Sequence, residues 1–113
     1  TDLPLTSRQL KRILKRTGVG IARTGGYTGH GSGEVMIGFT TANRIPSGRE
    51  EELLQISAIP EHVINRAFLA AAEAEQEAIL NSMTAAKQTR GREGELYYSL
   101  AEYLNDREVE TSK

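Results

Sequence analysis

The sequence predicts a mixed α/β fold, and three features of the chain support this prediction. Eight of the eleven glycines fall within residues 18–38, where so dense a cluster marks a backbone path that larger residues could not follow. The apolar residues 35–41 overlap the end of this cluster and have the composition of a buried strand. Helical periodicity occurs on both sides, over residues 7–17 and 60–86. We therefore expect helices packed against strands, with a glycine-rich loop at the mouth of one strand.

The first helix is predicted to begin at Thr6 or Ser7 and to end at Gly18. A hydroxyl at either starting position can accept hydrogen bonds from free backbone N–H groups, and glycine commonly closes a helix. Five basic residues surround the apolar face of this helix: Arg8, Lys11, Arg12, Lys15 and Arg16. Because no aromatic residues alternate with them, a solvated face is favoured over a nucleic-acid contact.

The middle of the chain is expected to alternate between short strands and loops. A strand is predicted at residues 19–22, with a close backbone approach at Gly20. Residues 43–52 contain proline, serine, glycine and consecutive glutamates, which predicts an exposed loop. Residues 53–56 form a weaker candidate strand.

The second helix is the clearest structural feature of the sequence. It is predicted to start at Pro60, which suits a first helical position, and to run to residue 86. Its apolar face is rich in alanine, so this face can lie close against a sheet or another helix. Residues 95–104 are expected to add a strand or a short helix, and the charged tail 106–113 is expected to fray.

Composition limits the class of protein. A length of 113 residues predicts a single domain, and the absence of cysteine excludes a disulfide scaffold and thiolate chemistry. No apolar run is long enough to span a membrane, so no membrane partner and a cytoplasmic location are expected. Basic residues outnumber acidic ones over residues 1–49, and the reverse holds over residues 50–113. These halves could attract one another, or the basic half could bind nucleic acid.

A metal site is not predicted. Glu73 and Glu77 lie one turn apart on the second helix, a spacing at which two carboxylates can hold an ion. No other helix carries the Glu-x-x-His partner that helical carboxylate sites use. We therefore expect a solvated acidic face.

The sequence of the glycine-rich loop does not match three common functional motifs. A phosphate loop needs a lysine followed by serine or threonine after its last glycine, and no lysine is near Ser32. A dinucleotide-binding loop needs a helix after it, whereas a strand is predicted here. A nucleophile elbow needs glycine two residues either side of the serine, where this chain has His30 and Glu34.

Ser32 and Glu34 are left as the candidate catalytic pair. In a strand, residues i and i+2 point to the same side, so the hydroxyl and the carboxylate can converge. The carboxylate could then orient the hydroxyl or take a proton through it. Ser-x-Glu is a common tripeptide and a weak signal alone. His30 is a further candidate base, although a lone loop histidine is more often exposed and idle.

Several segments resemble the DmpA-type aminopeptidases, which include the L-aminopeptidase/D-amidase/esterases and the β-peptidyl aminopeptidases. The central segment, residues 29–34, reads Gly-His-Gly-Ser-Gly-Glu. The others follow in collinear order over nearly the whole chain: residues 1–5, 9–12, 22–25, 39–42, 71–74, 77–81 and 91–94.

The resemblance implies a four-layer α/β/β/α sandwich of the self-processing N-terminal-nucleophile type, of which this chain supplies part. It implies a precursor that cuts itself into an α and a β chain, the new N-terminal serine being the nucleophile and its amine the base. The implied substrates are short peptides, amides or esters, cleaved through an acyl-enzyme without metal or cofactor. The implied partners are the α chain of the same precursor and further αβ units in a homo-oligomer, with no nucleic acid.

The resemblance also assigns roles to residues of the loop. Ser32 and Glu34 match the family's second serine and the glutamate beside the nucleophile, and are expected to orient the nucleophile and shuttle its proton. Gly31 and Gly33 are expected to let the backbone approach the substrate closely.

The chain departs from the family pattern at the nucleophile, which should lie a few residues before Thr1. Thr1 as the nucleophile is a less favoured interpretation, because it matches the far end of the nucleophile strand. We therefore expect most of a β chain, inactive alone and exposing sheet edges and apolar surface. A non-catalytic subunit of this fold and a small nucleic-acid-binding protein using the basic N-terminal helix are the alternatives.

Overall fold

The structure is a computed structural model that describes residues 1–48 and 53–111. Its contacts group into two compact units, Thr1–Gln76 and Glu77–Lys113, which are treated separately, and a single domain stays a prediction. The elements are α1 (Ser7–Leu14), α2 (Thr17–Arg23), a 3₁₀ turn (Glu61–Val63), α3 (Ile64–Ala85), β1 (Thr89–Arg90), β2 (Leu96–Tyr97) and α4 (Leu100–Thr111). Among these described helices, none combines the length and the apolar character that crossing a membrane requires.

Helix α1 begins at a capping box. The Thr6 hydroxyl accepts the Gln9 backbone N–H at 3.2 Å, and the Gln9 side chain accepts the Thr6 backbone N–H at 3.1 Å. This reciprocal pair satisfies two backbone donors at the helix start and confirms Thr6 as the capping residue. The helix ends at Leu14, earlier than the predicted Gly18, and the Thr17 hydroxyl donates to the Leu14 carbonyl at 2.8 Å.

Helix α2 occupies residues 17–23, so the strand predicted at 19–22 is wrong. The close approach at Gly20 is confirmed, but between two helices: an added Cβ would lie 2.6 Å from the Ala72 carbonyl oxygen. This packing overrides the strand preference of the local valine and isoleucine. The glycine that follows the helix end is Gly25, whose φ of 95° is costly for other residues.

Helix α3 confirms the clearest prediction from the sequence. It follows Pro60 and the 3₁₀ turn and ends at Ala85, one residue before the predicted end. Its buried residues are Ile64, Ala67 and Ala72, which with Leu5 form the buried apolar core. The apolar residues near its end stay partly exposed, so only the first part of the predicted apolar face is covered.

The strands predicted at residues 35–41 and 53–56 are not formed within the described chain. Val35, Ile37 and Phe39 are 89%, 87% and 71% exposed, which confirms the expected exposure of apolar surface. A strand needs a neighbouring backbone to satisfy its N–H and C=O groups. The described residues supply such a neighbour at one end only, where Thr1 bonds to the backbone on either side of Thr40.

Among the remaining segments, the exposed loop at residues 43–52 and the frayed tail at residues 106–113 stay predictions. The Asn43 side chain donates to the Ser57 carbonyl and accepts its N–H, both at 2.9 Å, across the base of the predicted loop. Residues 43–48 form neither helix nor strand, and residues 49–52 lie outside the described residues. In the second unit, β1 and β2 pair antiparallel and α4 follows, so strand and helix both occur there. The backbone of residues 106–111 of the predicted tail is helical, and 112–113 lie outside the described residues.

Replacing Gly20 by alanine is expected to destabilise the fold. The new methyl group would meet the Ala72 carbonyl and the Glu75 Cβ, each at 2.6 Å. Overpacking of this kind costs about 1–3 kcal/mol, whereas the gain in helix propensity is only about 1 kcal/mol. Gly18→Ala is the matched control, because its methyl group meets only the Met36 side chain, at 3.9 Å. Urea denaturation should show a lower unfolding free energy for Gly20→Ala and a higher one for Gly18→Ala. A higher unfolding free energy in Gly20→Ala would contradict the close contact between the helices.

Candidate functional site

The glycine-rich loop leaves α2 at Gly25 and turns sharply before Ser32. Thr28 has a φ of 50°, a conformation that is rare for a β-branched residue. The Ser32 backbone N–H then donates to the Gly29 carbonyl at 2.9 Å, which closes a turn over residues 29–32. The turn fixes the backbone from which the Ser32 side chain projects.

Ser32 and Glu34 are brought together. The Ser32 hydroxyl has two acceptors, the Gly29 carbonyl oxygen at 2.9 Å and the Glu34 Oε1 at 3.2 Å. A hydroxyl carries one proton, so it can donate to only one of these acceptors at a time. It can therefore hand its proton to the carboxylate while accepting another on its free lone pairs. The catalytic roles assigned to both residues stay predictions.

The neighbouring loop residues leave space around this pair. An added Cβ at Gly31 or at Gly33 would meet no other atom of the described chain within 4 Å. Their assignment to substrate binding stays a prediction that this open space allows. His30 is exposed and forms no hydrogen bond within the described part of the chain.

An open cavity of about 450 Å³ adjoins the Ser32–Glu34 pair. Its lining is Ile21, Gly25, Gly26, Tyr27, Thr28, Gly29, His30, Gly31, Ser32 and Glu34. Sequence reasoning did not single out Tyr27 or Thr28. Tyr27 could have been found from the sequence, because it is an aromatic residue within a glycine cluster. No feature of the sequence indicates the positive φ of Thr28.

The basic face of α1 is largely engaged within the first unit. Arg8 and Arg12 both form ion pairs with Glu61. The guanidinium carbons of Arg12 and Arg16 also lie 5.2 and 4.3 Å from the centre of the Phe68 ring, within range of cation–π attraction. Three of the five basic residues around the first helix therefore have partners in the fold, which weakens the nucleic-acid interpretation.

The two arginines also change the acidity of Glu61. The hydrogen bond from Arg12, and the charge of Arg8, hold the pKa of the Glu61 carboxyl below its ordinary value. The Gln9 side chain donates to the same carboxylate at 3.3 Å and acts in the same direction. Glu61 is half exposed, so this cluster orients α1 against the 3₁₀ turn more than it adds stability.

The Glu61 pKa predicts a pH dependence of stability. Because the folded-state pKa is depressed, the unfolded chain binds more protons between the folded value and the unfolded value of about 4.3. The contribution of Glu61 is therefore complete above about pH 4.3 and is lost as the pH falls through the folded pKa. Glu61→Gln should flatten the fall of unfolding free energy in this acid range, whereas Glu73→Gln, at an exposed position of α3, should not. If the unfolding free energy of both variants fell equally steeply with decreasing pH, this role of Glu61 would be contradicted.

No three histidine, aspartate or glutamate side chains gather as a metal site within the residues that the structure describes. The expectation that the chain needs neither metal nor cofactor stays a prediction, since this finding concerns the protein ligands of the described residues alone.

The chain is similar to several known proteins, including the following three. The solved structure of the PH0078 protein from Pyrococcus horikoshii OT3 is 47% identical, covering 94% of this chain and 30% of that chain, with a TM-score of 0.83. The L-aminopeptidase D-Ala-esterase/amidase from Ochrobactrum anthropi, a variant of the Ntn hydrolase fold, is 34% identical over 88% of this chain and 28% of that chain, with a TM-score of 0.79. The β-peptidyl aminopeptidase BapA from Sphingosinicella microcystinivorans is 34% identical over 94 residues, 83% of this chain and 24% of that protein.

These similarities show the kind of fold to which the chain contributes. The chain spans roughly a quarter to a third of the length of the relatives it matches. The solved relatives include an aminopeptidase of the Ntn hydrolase fold, which supports the predicted N-terminal-nucleophile fold at this coarser level. Residues 1–97 match the sequence pattern of one peptidase family over most of the chain. The chain belongs to peptidase family S58.

Proposed function

We propose that the protein to which this chain belongs is a self-processing serine aminopeptidase that removes N-terminal residues from short peptides, amides or esters. The observation that carries the proposal is the hydrogen bond between Ser32 and Glu34, in a chain of peptidase family S58. The names of the relatives, a β-peptidyl aminopeptidase and an aminopeptidase with esterase and amidase activity, support the substrate class.

The backbone around Thr1 supports a position for the nucleophile. The Thr1 nitrogen donates to the Phe39 carbonyl at 3.3 Å, and the Thr1 carbonyl accepts the Thr41 N–H at 3.0 Å. In a parallel strand pair, the backbone N–H and C=O of a residue on one strand bond to the two residues that flank its partner on the other strand. Thr1 is thus paired with Thr40, and the two backbones run in the same direction.

This register leads from Thr1 back to the candidate site. In a parallel pair, a residue a given number of positions before Thr1 lies beside the residue the same number before Thr40. Glu34 is six positions before Thr40. A strand entering at Thr1 would therefore bring a residue about six positions upstream beside Glu34 and close to Ser32. We place the N-terminal serine nucleophile of the processed chain there.

The proposed reaction uses both residues around this nucleophile. The serine oxygen attacks the carbonyl carbon of the scissile bond, and its proton passes to its own α-amine through Ser32. The amine of the leaving group takes that proton as the bond breaks, which leaves an acyl-enzyme. Water then attacks the ester and releases the acid. Glu34 holds the Ser32 hydroxyl in position and balances positive charge on the amine.

The rest of the protein would complete the fold. A strand before Thr1 would pair with the exposed segment 35–39, and a second sheet would cover its apolar side chains. This arrangement gives the four-layer α/β/β/α sandwich, with this chain as the β-chain portion and the α chain of the same precursor as its partner. Assembly of several αβ units and a cytoplasmic location belong to the same proposal.

Intact-mass measurement and N-terminal sequencing of the native preparation test this proposal. We expect a larger chain to co-purify with a chain that begins with serine, about six residues before Thr1 by the parallel register. The 113-residue chain alone should not hydrolyse an aminoacyl-p-nitroanilide, whereas the two-chain protein should. A single species beginning at Thr1, or turnover by the chain alone, would contradict the proposal. The first of these results would favour a non-catalytic subunit.

A further inference from the structure

The lining of the cavity beside Ser32 and Glu34 combines polar and apolar residues. Ile21, with an aliphatic side chain, and Tyr27, with an aromatic ring, belong to this lining together with Ser32 and Glu34. Binding sites for small molecules commonly combine apolar walls with a few placed polar groups. The proposed reaction uses Ser32 and Glu34 and leaves Ile21 and Tyr27 without a role.

Two glycines support the apolar walls. An added Cβ at Gly26 would lie 2.5 Å from Ile21 Cγ2, so Ile21 packs directly against bare backbone. An added Cβ at Gly29 would lie 3.1 Å from a ring carbon of Tyr27, so the ring lies over this glycine. Side chains at either position would push a wall out of place. These two glycines thus allow Ile21 and Tyr27 to keep their places in the cavity lining.

Tyr27 is in an unfavourable position for a residue without a ligand. Its side chain is 88% exposed, so it gains little from burial within the first unit. The next residue, Thr28, has a φ of 50°, a strained conformation for a β-branched side chain. Strain of this kind persists mainly at ligand sites, where a bound molecule uses the geometry that the strain maintains.

We propose that Tyr27, together with Ile21, forms the subsite for an apolar side chain flanking the scissile bond, and that Tyr27 sets the preference for large over small side chains. This inference rests on the proposed function, because it takes the substrate to be a short peptide or amide whose scissile bond lies beside Ser32 and Glu34. An aromatic or branched substrate side chain would cover the exposed ring and contact the apolar residues of the cavity lining. A small side chain would leave the ring in water.

The test compares two substrates on the native protein. The ratio of kcat/KM for phenylalanyl-p-nitroanilide over alanyl-p-nitroanilide should fall about tenfold in Tyr27→Ala, as expected for loss of an aromatic contact. Tyr27→Phe should keep the ratio, because the ring is retained. Tyr98→Ala removes another exposed tyrosine, from the second unit, and should also keep it. An unchanged ratio in Tyr27→Ala would overturn the proposal.

A binding measurement separates this inference from the proposed function. Calorimetry with phenylalaninamide and alaninamide, in a Ser32→Ala background, needs no turnover. Tyr27→Ala should lower the ratio of the two affinities about tenfold there as well. If the native protein hydrolyses neither substrate but this affinity ratio falls, the proposed function fails and the subsite stands. Equal affinity ratios with and without the Tyr27 ring would overturn the subsite, whatever the activity.

Discussion

Replacing Glu34 by glutamine should lower kcat of the native protein by about 10²–10⁴-fold, the usual range for loss of a group that takes part in acid–base catalysis. Glutamine keeps the size of the side chain and its oxygen acceptor, but carries no negative charge to balance the positive charge on the amine of the nucleophile. The Ser32 hydroxyl would retain the Gly29 carbonyl as its acceptor, 2.9 Å away, but would no longer be held by a carboxylate, so it would pass the proton to that amine less efficiently. KM should change little, because the proposed role is in the reaction and not in substrate binding.

Ser32→Ala should lower kcat by a similar factor, since the two side chains act as one relay. When two groups act as one relay, removal of either group removes the whole contribution of the relay to kcat. The double variant should therefore be at most a few-fold slower than either single variant. His30→Gln is the matched control: the imidazole is exposed and unbonded within the described residues, and this variant should keep most of the activity. Intact masses must show equal processing of all variants. Full activity in Glu34→Gln, or its loss in His30→Gln alone, would contradict these roles.

The helices were predictable to the extent that local chemistry determines them. Thr6 caps α1 as expected, and Pro60 precedes the turn that leads into α3. The region of α2 was predicted wrongly because its valine and isoleucine favour strands, whereas packing of Gly20 against Ala72 selects a helix. That contact joins residues distant in sequence, so no local pattern reveals it.

The strand at residues 35–41 fails for a different reason. Its composition is that of a buried strand, but sheet formation depends on a neighbour, and within the described chain only Thr1 provides backbone partners. The Ser32–Glu34 contact, which sequence reasoning expected from strand geometry, instead follows the turn that begins at Gly29. The expected contact between the two side chains is present, although a turn and not a strand brings them together, and their catalytic roles stay predictions.

Gln9 shows most clearly what the sequence could not reveal. It lies on a basic helix and was noted only as part of a family-like segment, yet it is 3% exposed. Its side chain donates to the Ile59 carbonyl at 2.7 Å, across fifty residues of sequence. The Ile59 N–H in turn donates to the Pro4 carbonyl at 2.8 Å. Gln9 therefore ties the segment before α3 to the start of the chain, which pairs with residues 39–41.

Gln9→Met is accordingly expected to destabilise the first unit by about 2–6 kcal/mol, at roughly 1–3 kcal/mol for each of two polar groups left without a partner. Methionine has a similar size and helix propensity, so neither a cavity nor a weaker helix accounts for the loss. The two groups are the Thr6 N–H, which loses its acceptor, and the Ile59 carbonyl, which loses its donor. Urea denaturation with unchanged slope would measure the difference.

Thr6→Ala separates the two contributions of Gln9. It removes the hydroxyl that accepts the Gln9 backbone N–H but leaves the Gln9 side chain on Ile59, and should cost only about 1 kcal/mol. Gln55→Met, at an exposed position, should have almost no effect. The loss of unfolding free energy in Gln9→Met, minus the loss in Thr6→Ala, then measures the contribution of the long-range hydrogen bond to Ile59. If the two losses were equal, the cap alone would explain the burial of Gln9, and the tie between α1 and residue 59 would not stabilise the fold.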